Sequence, residues 1–286
     1  MGVAPDGWEI HAFPEDPAAS PDRERVRFVV PDWQVSRALD QLPALEVVQC
    51  RSAGVDWIVD CVPPGVTLCS ARGARDAAMA EWVLWAVLAD IKVARTAAEQ
   101  QAARVWEHLD LRDVEAIRVL ILGYGSIGAA VERRLEPFDV EFVRVARRGR
   151  DGVHGVDELP RLIGTVDVVI DLLPLTPDTR GLIGADALAA MPRGSLLINA
   201  GRGATVDTDA LLRALHDGHV RAVLDVTEPE PLPDDHPLWN APGLILTPHS
   251  AGDTPNAERA AWALAGDQLR RFAAGEPLLN VVAHGY

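Results

Sequence analysis

Residues 119–128 read Val119-Leu-Ile-Leu-Gly123-Tyr-Gly125-Ser126-Ile127-Gly128, and this stretch decides how the chain is read. An apolar run of strand type enters a Gly-x-Gly-x-x-Gly turn, and a helical pattern follows over 127–136. The first glycine permits a tight turn, the second lets backbone approach a pyrophosphate, and the third allows close helix–strand packing. The helix N-terminus, where Ser126 and Ile127 lie, adds N–H donors and a positive dipole end. The pattern predicts a dinucleotide site at Gly123, Gly125, Ser126, Ile127 and Gly128. The plain alternative is a glycine-rich strand–helix turn without a ligand.

Outward from this turn the chain alternates. Strands are expected at 117–122, 141–146, 167–172, 195–199, 220–225 and 243–247, with helices at 127–136, 157–163, 184–190 and 207–216. That order predicts an α/β fold, a doubly wound parallel sheet of Rossmann type whose ligands sit at the C-terminal strand ends. Upstream, Trp8–Phe13, Val26–Pro31 and Leu45–Cys50 read as strands and Val35–Gln41 as a short helix, forming a second, smaller unit. Asp76–Arg104 reads as one long helix with apolar Trp82, Val83, Leu84, Trp85, Val87 and Leu88, suited to a domain bridge, a dimer contact or plain core. A final helix is expected at about 255–274. The expected division is a substrate domain at 1–72, completed by about 259–286, and a dinucleotide-binding domain at 73–258.

The second strand of the larger unit, Glu141–Ala146, runs into Arg147-Arg148-Gly149-Arg150. A carboxylate here would accept from a ribose 2′-OH, whereas arginines fit a 2′-phosphate. Arg147 and Arg148 therefore favour NADP over NAD, against the plain reading of a solvated basic loop.

Composition narrows the class. The chain has 286 residues, enough for two ordinary domains, and its 48% hydrophobic and 24% charged residues are typical of a globular protein. A net charge of −15 argues against a broad nucleic-acid surface or an anionic-membrane binder, though a local arginine can still hold an anion. No apolar stretch approaches the ~20 residues of a bilayer span, and no signal-peptide core opens the chain. Cys50, Cys61 and Cys69 lack metal-ligand spacing, so no metal is expected. They read as core thiols of a cytoplasmic protein.

Three loops that follow strands bring ionisable groups to one edge of the sheet. They are Asn199-Ala-Gly-Arg202-Gly, Asp225-Val-Thr-Glu228-Pro-Glu230-Pro and Thr247-Pro-His249-Ser-Ala-Gly252. Singly, each has a bland reading as a solvated arginine, a loop-capping glutamate and a structural histidine. Together they suit hydride transfer to or from a 2-hydroxy or 2-oxo acid. Arg202 can bind a carboxylate and polarise the neighbouring carbonyl, and His249 can exchange the proton. A carboxylate beside His249 favours the imidazolium and fixes its orientation. Glu230 is expected in that role, with Glu228 as its competitor.

The ordered set GYGSIG (123–128), LLPLTPDTRGLI (172–183), INAGRG (198–203), LDVTEPEPLP (224–233) and LTPHSAG (246–252) resembles the D-isomer-specific 2-hydroxyacid dehydrogenases. The resemblance covers the chain from about residue 45 onward and implies catalytic Arg202, Glu230 and His249. It also implies that Asp225 meets the nicotinamide carboxamide, and that Leu173, Pro174, Ala200 and Gly252 line the cofactor cleft. In the smaller domain it implies that the turn Arg51-Ser-Ala53-Gly54-Val-Asp56 offers N–H groups to the substrate carboxylate. The active site is then expected between a flavodoxin-like domain and the dinucleotide domain. Arg51 and Arg72 are possible specificity residues, and Trp57 and Trp106 are candidates for shaping the pocket.

Family members usually open with a strand–helix unit ahead of the segment resembling Trp8–Phe13. This chain starts after it, so either the small domain is N-terminally truncated or residues 1–30 refold to fill the gap. The expected function is NAD(P)H-dependent reduction of a small 2-oxo acid to the D-hydroxy acid, with glyoxylate and hydroxypyruvate as candidates, by a homodimer. The rival is a nucleotide-binding scaffold with negligible turnover, similar to C-terminal-binding-protein corepressors. Oxidation of formate or another one-carbon acid is a third reading.

Overall fold

The computed structural model describes residues 4–12, 21–32 and 35–282. In chain order the elements are β1 (Phe28–Val29), β2 (Val47–Gln49), β3 (Thr67–Cys69), α1 (Asp76–Ile91), α2 (Ala94–Ala103), β4 (Arg118–Leu122), α3 (Ser126–Leu135), β5 (Glu141–Ala146), β6 (His154–Gly155), α4 (Leu159–Leu162), β7 (Val168–Asp171), α5 (Ala185–Ala190), β8 (Ser195–Asn199), α6 (Thr208–His216), β9 (Val220–Leu224), β10 (Leu244–Leu246) and α7 (Pro255–Ala274). They divide into two compact units, Met1–Asp76 with Asp253–Tyr286, and Ala77–Gly252.

In the larger unit seven parallel strands run in the order β10-β9-β8-β7-β4-β5-β6. The chain moves outward from β4 to β6, then crosses back to β7 and continues to β10. This reversal makes the C-terminal ends of β4 and β7 the switch point where such sheets hold ligands. Val119, Ile121, Val168, Ile170, Leu196 and Ile198 pack with Val83 and Val87 of α1 and Val131 and Leu135 of α3. Their strand neighbours Leu120, Leu122, Val169 and Leu197 pack instead with Leu188 of α5 and Leu211 and Leu215 of α6. Both faces are covered, which is why the strands read as unbroken apolar runs.

The single long helix expected over Asp76–Arg104 is two helices. Val93 takes a left-handed conformation (φ 46°) between α1 and α2. Neither glycine nor proline marks this break; distant contacts produce it. The Asp90 carboxylate, nearly buried at the end of α1, receives Arg221 of β9 at 2.7 and 2.9 Å and Arg112 at 2.9 Å. Lys92 donates to the Arg112 carbonyl, and Arg95 donates to the carbonyls of Ala241 and Leu244. Trp106 beyond α2 is fully exposed.

The smaller unit holds a three-stranded parallel sheet in the order β1-β2-β3. Its core includes Val29, Leu39, Val48, Cys50, Val55, Ile58 and Leu68. Residues 8–12 form no strand, against expectation, and Phe13 lies outside the described residues. Trp8 instead meets Phe272 of α7 edge-on, ring centroids 5.5 Å apart, with the Arg27 guanidinium 5.3 Å from the Trp8 ring. Of the three expected core thiols, Cys50 and Cys69 are buried but Cys61 is exposed, on a short 3-10 turn over Val59–Cys61. Burial pushes the Cys50 and Cys69 thiols up to about 12 and about 11.

Candidate active site

The glycine turn has the backbone its sequence suggested. Gly123 has φ +90°, and a Cβ there would stand 2.8 Å from the Leu172 carbonyl, so no other residue fits. A Cβ on Gly128 would press on Ile121 of β4 at 3.1 Å, the close helix–strand contact expected of the third glycine. At Gly125 a Cβ would meet nothing nearer than 3.9 Å, which leaves the space over the turn open. The N-cap of α3 is Gly125, which has no side chain to cap the helix and leaves its first backbone N–H groups beside that space. An open cradle at a helix N-terminus fits a dinucleotide pyrophosphate.

Tyr124, the first variable residue of the turn, is fixed from below and beside. Arg144 of β5 lies 5.8 Å from its ring and bonds Glu132 of α3 in bidentate fashion at 2.7 and 2.5 Å. Those bonds hold Glu132 below the usual carboxylate range, while burial raises the Tyr124 phenol. The expected cofactor residues Arg147 and Arg148 sit exposed just past β5. The sequence reading did not single out Arg150, yet it reaches the turn itself. Its guanidinium donates to the Tyr124 carbonyl at 2.8 Å and lies 5.9 Å from the Tyr124 ring.

The three loops beyond β8, β9 and β10 are knitted together largely through backbone. Asn199 accepts from the Gly201 N–H at 2.9 Å and donates to the Arg202 carbonyl at 3.0 Å, which shapes the turn that carries Arg202. A Cβ on Gly203 would lie 1.9 Å from the Thr227 carbonyl, so glycine alone lets the first two loops meet. The buried Asp225 accepts from Thr247 Oγ1 at 2.5 Å and from the N–H groups of Ser250 and Ala251 at 2.9 Å, while its carbonyl accepts from His249 N–H at 2.7 Å. These bonds hold His249 at φ 50°, a left-handed conformation that costs a non-glycine residue about 1 kcal/mol.

So placed, His249 bonds through Nδ1 to the Glu230 carboxylate. A carboxylate on Nδ1 puts the proton of the neutral ring there and leaves Nε2 to exchange a proton with a ligand. Glu230 and not Glu228 reaches the ring; Glu228 lends its carbonyl to Thr208 Oγ1. Half-buried Arg202 donates to the Gly201 carbonyl at 2.8 Å. Leu173 N–H and Ala200 N–H are held by Asp171, and the Pro174 carbonyl accepts from Thr179. Gly252 closes the larger unit.

In the smaller unit Arg51 is committed to its own surroundings. It bonds Glu258 at 2.5 Å, lies 5.1 Å from the Trp262 ring, and gives its carbonyl to Arg75 at 3.3 Å. Ser52 Oγ bonds the Gly54 carbonyl at 2.6 Å across Ala53, and Trp57 Nε1 donates to Ser52 Oγ at 3.1 Å. The Arg72 carbonyl accepts from Asn280 at 2.9 Å. Among the described residues no cluster of His, Cys, Asp or Glu could hold a metal ion, and no helix is long and apolar enough to cross a membrane.

Residues 84–251 match the family model described as the NAD binding domain of D-isomer specific 2-hydroxyacid dehydrogenase. A glyoxylate reductase of Thermofilum pendens is 31% identical over 273 residues, 89% of this chain and 80% of that protein. A D-isomer specific 2-hydroxyacid dehydrogenase of Xanthobacter autotrophicus Py2, solved with NADPH and MES, is 36% identical with a TM-score of 0.82, covering 93% of this chain and 88% of that one. The NADPH-dependent glyoxylate/hydroxypyruvate reductase of Sinorhizobium meliloti, solved with NADP and sulfate, is 30% identical with a TM-score of 0.85, covering 95% and 90%. The chain spans about half the length of the first curated relatives it matches, 56% and 48%. A glycine cradle, an Asn-x-x-Arg-Gly turn and a histidine bonded to glutamate stand in this order at the ends of one parallel sheet, and with these matches they establish that the chain belongs to the D-isomer specific 2-hydroxyacid dehydrogenase family.

Proposed function

We propose that the chain reduces a small 2-oxo acid to the D-2-hydroxy acid with NADPH, reversibly. When bound, the dinucleotide supplies the hydride that adds to C2 of the acid. Arg202 binds the substrate carboxylate through charge-assisted bonds and polarises the 2-oxo group. His249, as imidazolium, delivers its Nε2 proton to the carbonyl oxygen as that oxygen gains charge, which yields the hydroxyl group. Glu230 holds the ring in place and offsets its positive charge. Asp225 keeps an acceptor position on Oδ2, which takes one N–H from the protein, and we assign that position to the nicotinamide carboxamide. In the smaller unit the turn at Ala53 and Gly54 is the part we assign to substrate.

The observation that carries this reading is the His249–Glu230 pair, set on a left-handed backbone at the sheet edge that also carries Arg202. Three arginines beyond β5, with no carboxylate at the strand end, support NADPH over NADH. Relatives named glyoxylate reductase support glyoxylate, and the neighbour named glyoxylate/hydroxypyruvate reductase supports hydroxypyruvate as well. Exposed Trp85, Trp106 and Leu111 on the larger unit support a homodimer, which sedimentation would test.

The deciding experiment is NADPH and NADH oxidation with glyoxylate, hydroxypyruvate, pyruvate and phenylpyruvate, with cofactor binding measured in parallel. Turnover of one acid, faster with NADPH, is expected. Tight cofactor binding with turnover of none would overturn the reading in favour of a nucleotide-sensing scaffold.

A further inference from the structure

Beneath the Arg202 turn lies a buried group that the reaction does not use. Asp171, at the C-terminal end of β7, is completely buried, as is Thr205 opposite it. One carboxylate oxygen, Oδ1, accepts from the Leu173 N–H at 2.9 Å. The other, Oδ2, lies 2.5 Å from Thr205 Oγ1, and the same hydroxyl oxygen lies 2.6 Å from the Arg202 carbonyl. Thr205 has one hydroxyl hydrogen and stands at bonding distance from two acceptors. A second hydrogen is needed, and the Asp171 carboxyl is the group that can carry it.

We infer that Asp171 is a positioning residue for Arg202, acting as a neutral acid that donates to Thr205 while Thr205 donates to the Arg202 carbonyl. The proton relay fixes the backbone from which the Arg202 side chain extends. Ionisation of Asp171 turns the Thr205 hydrogen toward the carboxylate, and the 2.6 Å contact with the Arg202 carbonyl becomes a repulsion between lone pairs. The turn then shifts, and Arg202 with it.

The surroundings favour the neutral form. Leu122 of β4 and Asn199 of β8 flank Asp171 in register, Thr205 covers it, and none of these ionises. The loop trailing β7 carries Asp178 and Arg180, that beyond β8 carries Arg202 and Asp207, and that beyond β9 carries Asp225, Glu228 and Glu230; none of these charges is among the causes that move the Asp171 carboxyl. Burial raises its carboxyl to about 6, opposed by the bonds that Thr205 and the Leu173 N–H can give the ionised form. Asn199 Nδ2 donates to the Arg202 carbonyl at 3.0 Å and to Thr205 Oγ1 at 3.5 Å, and the Thr205 N–H reaches the same carbonyl at 3.2 Å, but none of these supplies the hydrogen missing between Oδ2 and Oγ1.

The inference rests on the proposed role of Arg202 in binding the substrate carboxylate, and its test separates the two. Asp171→Asn keeps an acceptor for the Leu173 N–H and a permanent donor for Thr205. Wild-type KM for the 2-oxo acid should rise on the order of tenfold, relative to that of Asp171→Asn, as pH passes upward through about 6, with kcat less affected. Thr205→Val should show the raised KM at every pH, and Thr205→Ser should restore wild-type behaviour. Independently of activity, the carboxyl-carbon NMR resonance that disappears in Asp171→Asn should titrate well above the ordinary aspartate range. Titration in the ordinary range, or identical KM profiles for wild type and Asp171→Asn, would overturn the inference. An Arg202→Ala variant with unchanged KM would refute the substrate reading instead, whatever the resonance shows.

Discussion

Asp171→Asn makes a prediction about stability that needs no substrate. Burial raises the folded-state carboxyl from the ordinary 3.8 to about 6, so the protonated form favours the fold. That contribution is fully present below about pH 4, where the unfolded chain is protonated too, and is lost as pH rises through about 6. At about 1.4 kcal/mol per pH unit, the loss amounts to about 3 kcal/mol by pH 7.5. Asparagine has nearly the same shape, keeps both bonding partners and cannot ionise. Relative to wild type, the variant should therefore gain about 3 kcal/mol of unfolding free energy between pH 4 and pH 7.5. Urea unfolding of both proteins across this range, followed by tryptophan fluorescence, measures the gain. Subtraction removes the other titrating groups, because they are common to both chains. A difference that stays flat with pH would refute the reasoning, because it would mean that Asp171 ionises as readily folded as unfolded.

The other predictions concern the cradle and the chemistry. His249→Ala should lower kcat by about 10²–10⁴ while leaving cofactor affinity nearly unchanged, as fluorescence titration would report; near-normal turnover would remove His249 from its role. Replacing Arg147 and Arg148 together with alanine should weaken NADPH at least tenfold more than NADH in parallel titrations, and equal losses would return both to a solvated loop. Gly203→Ala sets a Cβ 1.9 Å from the Thr227 carbonyl and should cost about 3 kcal/mol or more, seen as a lowered Tm. A variant as stable as wild type would mean that the loops beyond β8 and β9 can part freely.

Much of the larger unit is legible in sequence because its demands are local. Gly123 must take a positive φ and Gly128 must pack on Ile121, and both requirements fall within one strand, one turn and one helix. Consecutive parallel strands place their trailing loops at one edge, so the sequence alone groups Arg202, Glu230 and His249. What escaped reading depends on partners far along the chain. The break at Val93 follows from Asp90 meeting Arg221, 131 residues away, and nothing around Val93 announces it. The commitment of Arg51 to Glu258 spans 207 residues. Trp8 looked like part of a strand because its alternation fits one, but no neighbouring strand pairs with it among the described residues, and Phe272 takes the ring instead.

The arginine run beyond β5 shows where the limit lies. Arg147, Arg148 and Arg150 carry the same guanidinium, so sequence can name the chemistry of the loop but cannot rank its members. Rank depends on reach. The chain turns back at Asp151 and Gly152, Arg150 pairs across to Val153, and the Arg150 side chain is thereby carried onto the Tyr124 carbonyl of the glycine turn. Asp171 differs in kind. An aspartate ending an apolar strand reads as a solvated carboxylate at a loop, and only its closure by Thr205, 34 residues on, makes it a buried acid. Composition therefore fixes which groups are available, and long-range packing fixes which protonation state and which contact each one adopts. The loops of this site draw their geometry from both.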